Sequence, residues 1–140
     1  MQFSNPTADH ILPSNFRENL NLLSPNSVYK VPYRKQGITA GSAKRCYWNS
    51  NILSQTFGGS VVYGWRISFL NHYLPNSKSI AIHGHANWIT PEGEIVDPTY
   101  SHVYDGDESL FLPFTDKLIL NGTKTELIQD FFYFESVSDL

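Results

Sequence analysis

The chain predicts an α+β fold, with a helix that carries its only cysteine packed on an antiparallel β-sheet. Three stretches predict it. "CYWNSNILSQTFGG", from Cys46 to Gly59, has helical spacing and ends on glycine. "SVVYGWRISFL" alternates in the manner of a strand. "IAIHGHANWI" and "EIVDPTY" flank Pro91-Glu92-Gly93 as the two arms of a hairpin. A helix followed mainly by strands favours antiparallel pairing.

In chain order, "HILPSNFRENLNLLSPNS" predicts a short helix from about Ser14 to Leu23, capped by Ser14 and ended by Ser24-Pro25. "SVYKVPY" predicts a short strand, and Pro32 suits a sheet edge. "ITAGSAKR" is a flexible approach to the cysteine helix. In that helix Ser42 is the candidate N-cap and Cys46 falls in the first turn. Trp48, Ile52 and Gln55 share one face, Leu53 and Phe57 a neighbouring one, and Gly58 stands at the C′ position. The strand that follows puts Val62, Gly64, Arg66 and Ser68 on one side and Val61, Tyr63, Trp65, Ile67 and Phe69 on the other. "NHYLPNSKS" is a loop. Beyond the hairpin, "LFLPF" and "KLIL" predict strands, with a turn at Asn121-Gly122. The tail "TELIQDFFYFES" fits either helix or strand, and its "FFYF" is either a buried strand or a partner-binding edge.

At 140 residues the chain reads as a single domain that can bury a core without staples. It divides into an N-terminal arm (1–41), a core (42–100) and C-terminal elements (101–140). Charged residues are sparse at 16%, and the formal charge of −3 argues against a nucleic-acid surface. The basic clusters "YRK" and "AKR" are short. No apolar run approaches the ~20 residues of a membrane span, so no membrane partner is expected. "MQFSNPTADH" lacks the features of a secretory signal, which predicts a cytoplasmic protein, and delivery as an effector or toxin remains compatible. A single cysteine excludes an intramolecular disulfide and a four-thiolate zinc site.

Side-chain alternation puts His83, His85, Asn87 and Ile89 on one face of the first hairpin strand. Whether Asp97 joins them depends on loop length. A two- or four-residue loop leaves it on the opposite face. A three-residue loop pairs Thr90 with Glu94 and Asn87 with Asp97, and Gly93 supplies the left-handed residue such a loop wants. His85 and Asp97 then become diagonal neighbours within reach of a side-chain bond.

A carboxylate orients an imidazole and raises its basicity. The leading group for that base to deprotonate is the one thiol. Cys46, at a helix N-terminus beside Lys44 and Arg45, is placed where dipole and cations favour thiolate. Free backbone N–H groups at that end are candidate oxyanion donors. The reading requires sulfur, imidazole and carboxylate to converge in a shared cleft.

The words "CYWNSNILSQTFGGSVVYGW" and "HANWITPEGEIVDPT" resemble the transglutaminase-like branch of the papain-like cysteine superfamily. The likeness covers about Ser42 to Tyr100. A closer likeness is to poorly characterised bacterial proteins with the pattern Cys-x-x-Asn, Gly-Gly, Gly-Trp, His-Ala-x-Trp and Asp-x-Thr-Pro, followed by "LFLP". Here these are Cys46 with Asn49, Gly58-Gly59, Gly64-Trp65, His85 to Trp88, Asp97 to Thr99, and Leu110 to Pro113. Asp-Pro-Thr-Tyr departs from the family's Asp-x-Thr-Pro in the loop after Asp97.

The resemblance implies a papain-like core and thiol-dependent acyl transfer on amides, with Cys46 as nucleophile, His85 as base and Asp97 as its orienter. Water as acceptor gives a peptidase or deamidase, and an amine gives a transglutaminase. The substrate would be a protein, a peptide or a small amide, with no cofactor. Asn49, Trp48, Trp65, His83 and Asn87 are candidate wall or substrate-binding residues. Two other classes stand beside this one: a non-catalytic binding module on the same fold, and a metal-dependent protein using His83, His85 and Asp97.

Overall fold

The structure, a computed structural model, describes residues 3–8, 27–34, 46–69, 79–99, 108–114, 124–128 and 131–135. The expected helix at Ser14 to Leu23, the Ser42 cap, "KLIL", the Asn121-Gly122 turn and Tyr100 lie outside the described residues. The described elements are β1 (Tyr29–Pro32), α1 (Cys46–Phe57), β2 (Ser60–Phe69), β3 (Ser79–Ile89), β4 (Ile95–Val96), β5 (Glu108–Phe114), β6 (Lys124–Ile128) and β7 (Phe131–Glu135). The chain is therefore mixed α+β and rich in sheet.

Helix α1 ends where the sequence places its stop. Gly58 adopts φ 90° and its N–H donates to the Ser54 carbonyl at 3.0 Å. Gly59 follows at φ 78°, where a Cβ would stand 1.9 Å from the Ile89 carbonyl oxygen. This double glycine lets the chain leave the helix and enter β2 directly against β3.

The strand order is β1-β5-β2-β3-β7-β6, with β4 paired to β3 near the hairpin turn. All pairings are antiparallel except β3 with β7, which run parallel. That parallel pair departs from the all-antiparallel sheet expected. The tail resolves as strand rather than helix: β6 and β7 pair antiparallel, separated by two residues. "FFYF" lies inside the sheet, between β3 and β6.

The register of β3 with β4 pairs Trp88 with Val96 and Ile89 with Ile95. Thr90 N–H donates to Glu94 O at 2.8 Å, Gly93 N–H donates to Thr90 O at 2.9 Å, and Gly93 takes φ 91°. This is the three-residue-loop register, the one that turns Asp97 to the face of His85.

The strand beyond β4 closes the sheet on itself. Tyr33 bridges Asp97 in parallel, Asp97 N–H donates to Pro32 O at 2.9 Å, and Arg34 N–H donates to Asp97 O at 3.0 Å. Thus β1, β5, β2, β3 and β4 form a ring. The 3–8 segment seals this seam. Asn5 donates to Lys30 O (3.0 Å) and Ile95 O (2.9 Å), and accepts from Ile95 N–H (2.7 Å).

Two apolar clusters sit on opposite sides of the strands. Inside the ring are Val31, Val62, Ile95 and Phe111, with Phe3, Tyr29 and Ile89 against them. Outside, Leu53 of α1 packs on Trp88 and Val96. Gly64 is needed on the inner face, because a Cβ there would stand 2.5 Å from the Phe111 ring.

Candidate active site

The inner face of the ring carries more than apolar residues. Gly64 lies opposite His85 in the β2–β3 register, Arg66 opposite His83, and Val62 opposite Asn87. Extending the β3–β4 register by one pair sets Asp97 beside Asn87. Side chains from β2, β3 and the segment after β4 thereby meet at one end of the ring.

Asp97 is the hub. Its Oδ2 accepts from Arg66 Nη2 at 2.7 Å and faces His85 Nε2 at 3.0 Å. Its Oδ1 accepts from the Thr99 N–H at 2.9 Å. All three side chains are buried: Arg66 is 5% exposed, His85 1% and Asp97 0%. His85 Nδ1, the other ring nitrogen, is buried with no hydrogen-bond partner among the described residues. One nitrogen is therefore committed to the carboxylate and the other is not.

Burial pushes the His85 pKa down, but the Asp97 carboxylate more than offsets this. Arg66 opposes the rise, a negative charge on Cys46 and the bond to Asp97 add to it, and the result is about 9. Burial acts to raise the Asp97 pKa, yet the positive charges of His85 and Arg66, helped by hydrogen bonds, hold it below its ordinary value. Near neutral pH the buried trio is thus two cations on one carboxylate.

Cys46 opens α1 on the outer side of the strands. Alternation turns Ala86 and Trp88 to that side and His85 to the inner one, so helix and imidazole do not meet face to face. The helix reaches β3 at its edge instead. Along β3, β4 covers Trp88 and Ile89, while β7 covers Ser79 to Ala81. Between them Cys46 Sγ accepts the Ala86 N–H at 3.4 Å, beside the residue that follows His85. Ser50 Oγ donates to Ala86 O at 3.3 Å, and Asn49 Nδ2 donates to Thr99 Oγ1 at 3.1 Å. Through Thr99 the helix is tied to Asp97.

The side of α1 that packs is Cys46, Asn49, Ser50 and Leu53. This differs from the apolar row that the spacing suggests, because polar groups at the start of the helix satisfy strand backbone and the Thr99 hydroxyl. Trp48 accordingly points away, 57% exposed. Trp65 is fully buried on the outer face of β2. Asn87 is fully buried beside Asp97, and neither of its side-chain polar atoms has a partner among the described residues. The backbone of His83 lies opposite Arg66, and its side chain is outside the described set. Tyr63, opposite Ala86, stacks on Tyr47 with ring centroids 6.1 Å apart and planes at 8°.

One expectation is corrected. The sequence predicts a shared cleft, whereas Cys46 is 0% exposed and lies sealed against β3. The reason is the packing of the first turn of α1 onto the Ala86 backbone.

Sequence reasoning missed Arg66 and gave no role to Thr99. A signal for Arg66 existed: it is the one charge in "SVVYGWRISF", and it falls on the face of Val62 and Gly64, where a cation needs a buried partner. Among the described residues no three His, Cys, Asp or Glu side chains are grouped to hold a metal ion, and no helix is long and apolar enough to cross a membrane. Comparison with protein-family models, with curated proteins and with solved structures finds no match for this chain.

Proposed function

We propose that the protein is a cysteine-dependent acyl-transfer enzyme acting on amide bonds, built on a papain-like or transglutaminase-like core. The observation that carries this reading is the division of labour on His85. Its Nε2 is held by Asp97, while its Nδ1 is buried and uncommitted. Cys46 is close enough to act electrostatically on His85, in the direction that favours the imidazolium. A structural histidine at this depth would be expected to use both nitrogens.

In the proposed reaction the Cys46 thiol gives its proton to His85, the thiolate attacks the amide carbonyl carbon and a C–S bond forms. The imidazolium gives its proton to the departing nitrogen as the C–N bond breaks, which leaves a thioester. Water or an amine then attacks the thioester and passes its proton to His85, and the sulfur leaves. Arg66 and the imidazolium together exceed the charge of Asp97 by one, so negative charge developing at the sulfur or the carbonyl oxygen is balanced. Because Cys46 is sealed, turnover requires the first turn of α1 to part from β3.

The sealed sulfur favours a second reading, a binding module in which Cys46 is a packed core residue and Arg66-Asp97-His85 a structural ion cluster. Intact-mass spectrometry after incubation with a library of amide-bearing peptides separates the two. The enzyme reading expects an acyl adduct on Cys46 that neutral hydroxylamine removes and that Cys46→Ala cannot form. Peptide binding that survives in Cys46→Ala, with no adduct on the wild type, would establish the second.

A further inference from the structure

Asp97 Oδ2 accepts from two cations at once, Arg66 Nη2 at 2.7 Å and His85 Nε2 at 3.0 Å, in a site where none of the three side chains is more than 7% exposed. Such sharing is not required to orient an imidazole, for which one carboxylate suffices. Burying a guanidinium is costly, and the sheet accepts that cost on the face where Gly64 already makes room for the Phe111 ring.

We infer that Arg66 is a positioning residue that holds Asp97 ionised and divides its charge, so that His85 releases its proton more readily than it would beside an unshared carboxylate. The chemistry explains why a site of this kind needs it. An imidazole alone with a buried carboxylate is held as imidazolium too strongly to act as an acid, because the low surrounding dielectric magnifies the attraction. A second cation on the same oxygen weakens that hold without removing the hydrogen bond that orients the ring. Arg66 pulls the proton affinity of His85 in that direction, against the pull of Asp97.

Among the described side chains, the charged and titratable groups around His85 are Arg66 from β2, Asp97 after β4 and Cys46 from α1; on β3 itself His83 stands two residues before His85. From β1 and β5, Val31 and Phe111 face inward and bring no charge. Arg66 lies on the inner side of the ring, whereas Cys46 lies at the edge of β3 on the helix side, so the two are altered independently.

The role in catalysis rests on the proposed acyl transfer, but its test needs no thiol chemistry. Proton NMR titration of His85, identified by the signal lost in His85→Gln, is followed in the full chain and in Arg66→Gln, Arg66→Met and Arg66→Lys. Arg66→Gln and Arg66→Met are expected to move the His85 midpoint upward, and Arg66→Lys to return it toward the wild-type value. A midpoint that stays put in Gln and Met, or moves as far in Lys as in Gln, would overturn the inference. Where neither neutral variant folds, an Arg66→Lys midpoint well above the wild-type value would overturn it, because the charge is then kept and the coupling lost. An inert Cys46 would defeat the acyl-transfer reading and leave this charge coupling standing.

Discussion

Asp97 concentrates the energetic risk of the fold. It accepts two cations and a backbone N–H from inside the protein, and removing it takes the shared carboxylate from both Arg66 and His85. Breaking one partner out of a buried ion cluster costs about 3–5 kcal/mol. Asp97→Ala should therefore lower the urea midpoint by that equivalent, well beyond the effect of Arg34→Ala, which removes an exposed pair with Glu94. Equal losses from the two variants would show that the cluster does not hold the fold.

The same cluster fixes how stability responds to pH. His85 has a folded value near 9 against an ordinary 6.5, so its contribution is complete below about pH 6.5 and is lost as pH climbs toward 9. The loss amounts to about 3 kcal/mol. Asp97 is shifted the other way: its contribution is complete above its ordinary 3.8 and lost as acid protonates it. Urea unfolding across pH should show a plateau from about pH 4 to 6.5. His85→Gln should flatten the alkaline decline, and an unchanged decline in that variant would assign it elsewhere.

At the scale of elements, the hairpin was the most legible part of the sequence. Alternation and one glycine determined its register, because a three-residue loop with Gly93 in the left-handed region has one pairing, and that pairing puts Asp97 on the face of His85. Helix α1 was legible in its extent but not in its packed side. Apolar spacing pointed to Trp48 and Ile52, whereas Asn49 and Ser50 turn inward to meet Thr99 and Ala86, hydrogen bonds that no periodicity encodes. Between these elements the double glycine is a tight constraint. Gly59→Ala would drive a Cβ to within 1.9 Å of Ile89 O, so the junction must shift. Gly93→Ala meets open space and carries only the left-handed backbone cost of about 1–2 kcal/mol. Thermal unfolding should rank Gly59→Ala as clearly the more destabilised, and the reverse order would refute the junction geometry.

For the whole molecule, the ring of strands was not legible. Its closure depends on Tyr33 meeting Asp97 and on Asn5 reaching Ile95 and Lys30, contacts between residues 64, 90 and 25 positions apart. Local pattern carries no information about such pairings. The partner of Arg66 was not legible for the same reason, since it comes from a segment 31 residues away. Asn5→Ala removes three hydrogen bonds at the seam and leaves Ile95 backbone groups buried without them. It should cost about 2–4 kcal/mol in urea unfolding, at roughly 1 kcal/mol for each bond made and more for each group stranded.

The proposed acyl transfer requires a sulfur outside the strands and an imidazole inside them to cooperate. Sγ lies on the Ala86 amide, on the stretch of the β3 edge that β4 and β7 leave uncovered and one residue from His85. The most direct measurement is the rate at which iodoacetamide alkylates Cys46 in the folded protein at neutral pH, compared with a free thiol and with His85→Ala. Cooperation predicts a wild-type rate above that of the free thiol, and loss of the excess in His85→Ala. A wild-type rate at or below the free thiol, unchanged by removing His85, would contradict it.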